Sequence, residues 1–175
     1  MLPKLMEAHW PLVPNGYSIS AVANANRFTQ GGTSTLASLK IYRRKGKLFI
    51  VETDGVIDLS PVVEVADHEQ FAATLSDILS KPQIFPEEVP NLRDYKSPLL
   101  AAVGVRRWSE LERGLQMVSV AQTPEGIVAQ KYVPEPSWRS GLAPGDVILK
   151  QRESDPVELA DKLLAALEDP NWPVR

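Results

Sequence analysis

No cysteine occurs in the chain. This excludes disulfides, thiolate nucleophiles, iron–sulfur clusters and Cys-ligated zinc, and it fits a cytoplasmic setting. Histidine is scarce: His9 and His68 do not stand at ligand spacing from one another. His68 falls in the first turn of an expected helix, where the helix dipole opposes protonation. No apolar run approaches the ~18 residues that a membrane-spanning helix requires. The opening residues 1–10 lack the apolar stretch of a secretory signal, so no membrane partner is expected. The Gly-x-Ser-x-Gly turn, the Walker A loop and the dinucleotide fingerprint are all missing. The segment Gly31-Gly32-Thr33-Ser34 lacks the lysine that a phosphate loop needs. Basic charge is not in excess either: 19 Lys and Arg face 22 Asp and Glu, for a net charge of −3. Such a balance argues against nucleic acid as a partner. The expectation is a protein that is not an enzyme and carries no metal or cofactor.

What is present is an ordinary globular composition, with 43% hydrophobic residues in 175. A chain of this length buries about 70% of its unfolded surface without a staple. Residues 1–35 are rich in Asn, Gly, Ser, Thr and Pro and read as an irregular N-terminal arm. From Leu36 the pattern becomes periodic. Leu39 and Ile41 alternate with Lys40 and Tyr42, a strand period. Lys45-Gly46 is a tight turn, because glycine takes positive φ without steric cost. Leu48-Phe49-Ile50-Val51 returns as a strand with both faces apolar. A third extended stretch ends at Pro61-Val62-Val63-Glu64-Val65. Asp67, with Gln70 three residues on, opens a helix as a capping box. Phe71, Leu75, Ile78 and Leu79 form its apolar stripe, and Pro82 stops it.

The same grammar returns later. Residues 117–121 and 127–133 read as strands around a Thr123-Pro124-Glu125-Gly126 turn. Asp146-Val147-Ile148-Leu149 is a third strand. Asp155 then caps a helix with Pro156 at its first position and Ala160, Leu163, Leu164 and Leu167 as its stripe. Gly46 aligns with Gly126 and Asp67 with Asp155, offsets of 80 and 88, so eight extra residues fall to the second copy, in a loop from Pro134 to Pro144. The expected fold is therefore α+β. Two strand–strand–strand–helix repeats, residues 36–82 and 115–170, form one domain spanning 36–175. They are related by a pseudo-twofold and share a mostly antiparallel sheet with helices packed on it. A helical linker, residues 97–114, joins them. Ser97-Pro98 starts its first helix and Gly104 ends it; Ser109 and Glu112 read as a second capping box, with Gly114 as the stop.

Charge is unevenly placed. Lys40, Arg43, Arg44, Lys45 and Lys47 form a basic stretch, and acids dominate from Glu52 to Asp94. The plain reading is a solvated surface; the sharper one is an acidic face that docks a basic partner. The candidate partner-binding residues are Asp54, Asp58, Glu87, Glu88 and Asp94 of that face, with Trp138 and Arg139 in the extra loop. Trp108 and Trp172 are further candidate anchors, since tryptophan is favoured at binding hot spots, with packing into the core the preferred reading of Trp108.

The order Leu99-Leu100-Ala101-Ala102-Val103-Gly104-Val105-Arg106-Arg107-Trp108, leading into Leu111-Glu112-Arg113-Gly114, carries a resemblance. With 36–44, 47–53, 67–79 and the closing helix 155–167, the chain from about 36 to 170 resembles a family of bacterial immunity proteins of contact-dependent growth inhibition systems. The resemblance implies a cytoplasmic toxin inhibitor, without enzymatic activity. Its partner would be the C-terminal domain of a cognate toxin, often a nuclease, bound as a monomer in a 1:1 complex. Residues 114–168 alone also resemble PDZ domains, through Gly114-Leu115-Gln116-Met117 and Gly145-Asp146-Val147-Ile148-Leu149. That likeness implies a peptide-binding module acting by strand addition. Gln116 stands where that loop carries glycine, and the first half of the chain is left unexplained.

Overall fold

A computed structural model describes residues 36–54, 57–81, 95–137, 141–152 and 155–175. The expected arm, residues 1–35, lies outside them. The chain runs β1 (Ala37–Arg44), β2 (Lys47–Thr53), β3 (Asp58–Val65), α1 (His68–Ser80), α2 (Pro98–Val103), α3 (Trp108–Leu111), β4 (Leu115–Thr123), β5 (Gly126–Pro134), β6 (Leu142–Gln151) and α4 (Pro156–Leu167). The class is α+β. Among the described residues six strands form one antiparallel sheet in the order β3-β2-β1-β4-β5-β6. Two meanders thus meet along a central seam between β1 and β4, with Ala37 opposite Gln122 and Arg44 opposite Leu115.

Local chemistry explains most boundaries. The β1–β2 turn places Lys45 and Gly46 at positive φ, 49° and 78°, the geometry that matches the twist of a two-residue hairpin. At α1 the Asp67 carboxylate accepts from the Gln70 amide at 2.8 Å. The Gln70 side chain reaches back one residue further than a capping box requires, accepting from the Ala66 amide at 2.7 Å. At α4 Asp155 accepts from the amides of Val157 and Glu158. Gly104 closes α2 in the left-handed region, φ 75°. Among the described residues no helix is long and apolar enough to cross a membrane.

Two sequence expectations change here. The extra residues of the second half do not all lie in a loop. β5 and β6 have 9 and 10 residues where β2 and β3 have 7 and 8, and Ala143, Pro144 and Gly145 belong to β6. Proline is tolerated there because β6 is an edge strand. The second correction concerns α3, which begins at Trp108 after Arg107, with no side-chain cap. Ser109 lies inside the helix. Glu112 turns inward and is only 2% exposed.

Each sheet face has its own core. On one, α1 contributes Phe71, Ala72, Leu75, Ile78 and Leu79, and α4 contributes Leu159, Ala160, Leu163 and Leu167. They pack on Leu39, Ile41, Ile50, Val118, Val120 and Ala129. Trp172 joins this core at 6% exposure, so it is not a surface anchor. The other face holds a smaller cluster. Leu99 of α2 and Leu111 of α3 meet Tyr42, Phe49, Val51, Leu115 and Met117 there, and Trp108 packs half-buried against them. The helical linker therefore crosses the face opposite α1 and α4, a placement that its sequence does not announce.

Candidate functional site

Lysine on a central strand must find a partner or reach water. Lys40, on β1 between the fully buried Leu39 and Ile41, points to the linker side of the sheet. Its Nζ meets Asp58 Oδ1 at 2.9 Å, with side-chain exposures of 14% and 4%. The Tyr42 hydroxyl, two residues along the same strand face, donates to the same oxygen at 3.1 Å. The Ser97 hydroxyl donates to the other carboxylate oxygen, Oδ2, at 2.7 Å. Ser97 Oγ is at the same time the cap of α2, accepting from the Leu99 amide. The Tyr95 hydroxyl donates to the Asp58 backbone carbonyl at 2.6 Å. Four groups, two from β1 and two from the segment leading into α2, thus converge on one aspartate of β3.

The electrostatics follow from burial. A carboxylate removed from water is costly unless charge-assisted hydrogen bonds replace its hydration, and here an ammonium and two hydroxyls do so. Burial, with the adjacent Asp58 carboxylate, pushes the Tyr42 hydroxyl well above the usual phenol range. The same two causes raise Tyr95. Both phenols are held as donors, and the arrangement suits them to fixing Asp58 rather than to losing protons.

A second buried carboxylate lies at the other end of the linker. Glu112 Oε1 accepts from the Gly141 amide at 2.6 Å. Its Oε2 faces Arg175 Nη1 at 3.4 Å, and Arg175 Nη2 donates to the Glu135 carbonyl at 2.9 Å. Burial raises the Glu112 carboxyl above its ordinary value, opposed by the Gly141 amide, the Arg175 charge and the Trp108 indole.

These placements revise the acidic docking face. Asp58 is buried and neutralised by Lys40, so it cannot meet a partner at the surface. Asp54 accepts from the Ile57 amide at 2.7 Å and shapes the β2–β3 connection. Glu87, Glu88, Asp94, Trp138 and Arg139 lie outside the described residues. Other acids of the run are also engaged: Glu64 with Lys47, Asp77 with Lys81, and Asp67 as a cap. The basic stretch is similarly absorbed. Arg43 donates to the Leu167 carbonyl at 2.7 Å, at the carbonyl end of α4. Arg44 donates to the carbonyls of Glu110 and Arg113. His68, in the first turn of α1, pairs with Asp161 of α4 at 2.8 Å. Among the described residues no three His, Asp or Glu side chains gather to hold a metal ion.

The Asp58 cluster is what sequence reasoning missed. The available signal was Lys40: a cation alternating with core residues on a strand implies a buried anion, and only three-dimensional pairing names it. Glu112 offered no comparable signal.

No known family profile matches the chain, and no curated protein matches it. Among solved structures it is similar to a protein of unknown function, NMB0488 from Neisseria meningitidis. The two are 13% identical, the match covers 75% of this chain and 93% of that one, and the TM-score is 0.53. At that identity the likeness shows a shared fold.

Proposed function

We propose that this chain is an immunity protein that binds and neutralises the toxic C-terminal domain of a contact-dependent growth inhibition system, acting by contact and not by turnover. The observation that carries the reading is the use made of its buried ionisable groups. Asp58, Lys40, Tyr42 and Glu112 each fasten one element of the fold to another, and burial raises Tyr42 and Glu112 in the direction that keeps their protons on. Side chains so committed build a rigid scaffold for a binding surface. The sequence segment most typical of the immunity family, residues 99–114, is the linker that these carboxylates hold.

The same reading takes the two halves as copies about a pseudo-twofold through the β1–β4 seam. The outward order of each meander and the Asp N-cap of each following helix support it. The α1–α4 contact through His68 and Asp161 also supports it. Strand addition beside β4, the alternative, meets a strand paired on both sides, to β1 and to β5. Val118 and Val120 share a core with Leu159 and Leu163 where the peptide groove would lie.

Co-expression with the toxic domain encoded beside this gene tests the proposal. Growth should be restored, and the two chains should co-purify at 1:1. Absence of both rescue and complex would sink it.

A further inference from the structure

The linker is attached to the rest of the molecule in an unusual way. Its backbone hydrogen bonds are mainly local: the amides of Leu100, Gly104, Val105, Glu110, Leu111 and Glu112 all donate to carbonyls between Ser97 and Trp108, and only past α3 does the Gly114 amide reach the Arg175 carbonyl, at 2.9 Å. Side chains make the rest of the attachment. Tyr95 and Ser97 bind Asp58 at one end, and Glu112 binds Gly141 and Arg175 at the other. Arg44 reaches up to the carbonyls of Glu110 and Arg113. Between these points only Leu99 and Leu111 are fully buried. The core that they enter is separate from the one under α1 and α4.

An element with local backbone bonds, few buried apolar side chains and its own small core has the physical marks of a cooperative sub-global unit. We propose that residues 95–112 are a strap that opens and closes as one body while the sheet, α1 and α4 stay folded, with Asp58 as its catch. Opening takes Leu99 and Leu111 off the sheet and bares Tyr42, Phe49, Val51, Leu115 and Met117, a transient apolar face. This inference does not depend on the immunity function.

Amide hydrogen exchange of the full chain at low denaturant is the test. These six strap amides should exchange together, at least tenfold faster than the central amides of α1 and α4, and with weaker denaturant dependence. Tyr95→Phe, which removes one bond of the catch, should speed all six by a similar further factor. Because the chain has no cysteine, thiol labelling offers a second readout. Leu99→Cys should react at least tenfold faster than Leu163→Cys. Strap amides that exchange only with α1 and α4, at the same rate and denaturant dependence, would overturn the proposal. So would a Tyr95→Phe effect confined to the amides next to the substitution, or equal labelling of the two cysteines.

Discussion

Under α1 and α4 the sheet is covered by nine buried apolar side chains from two helices. Across the sheet, the linker contributes two, with Leu100, Val103, Val105 and Trp108 packed partly buried beside them and polar fasteners at its ends. The first arrangement is non-directional and tolerates small shifts; its strength scales with the area removed from water. The second is directional: a carboxylate at one position must meet a hydroxyl, an ammonium or an amide at a set distance. One face therefore gives the molecule stability, and the other gives the linker a unique seat.

The comparison can be broken most forcefully from the apolar side. Phe71→Ala should cost about 4 kcal/mol, as for large aromatic truncations in a closed core. Leu99→Ala, on the linker side, should cost about 2 kcal/mol, at the low end for its type, because the strap can collapse over the gap. Urea unfolding measures both, and equal losses would erase the distinction between the faces. Next comes Asp58→Ala, which strands the buried Lys40 charge and should cost about 3 kcal/mol. In the double variant Lys40→Met with Asp58→Leu, most of that loss should return, since no unpaired charge remains. A double variant no better than Asp58→Ala would mean that the hydroxyl partners, and not the ion pair, dominate.

A finer test uses pH. The Glu112 carboxyl is raised in the folded state, so the folded protein binds more protons than the unfolded chain just above the ordinary value of 4.5. Its contribution is full below that value and is lost as pH rises through the raised one. Stability of wild type relative to Glu112→Gln should fall with rising pH across that window. A flat difference would show that the Arg175 and Gly141 contacts cancel the effect of burial. The smallest expected effects are at the helix caps. Asp67→Ala and Asp155→Ala should each cost about 1 kcal/mol, read as a shift in the thermal midpoint.

Much of the apolar face is legible in the sequence, because period and capping are local properties. Phe71, Leu75, Ile78 and Leu79 announce their helix by spacing alone, and Asp67 and Asp155 mark both starts. The turn at Gly46 and the stop at Gly104 are equally local. The polar face is not legible in that way. Asp58 sits in a run of acids and looks solvated; only the register Lys40↔Val51 on β1–β2, and β3 beside it, brings the carboxylate under the linker. Glu112 carries the spacing of a cap, yet its backbone lies where an inward carboxylate can reach Gly141, twenty-nine positions on. Whether a charged side chain faces water is decided by elements distant in the chain, and charge runs alone misjudge it.

The seam between β1 and β4 has a consequence for assembly. Within each meander, strands that pair follow one another directly, so their hairpins close short loops. The seam instead joins Ala37 to Gln122 and Arg44 to Leu115, across α1 and the whole linker. Long-range closure is slow because chain entropy is lost before contacts reward it. The two meanders are expected to form early and separately, with their zipping together as the rate-limiting event. Shortening the tether between them should then quicken folding while leaving the unfolding rate nearly unchanged.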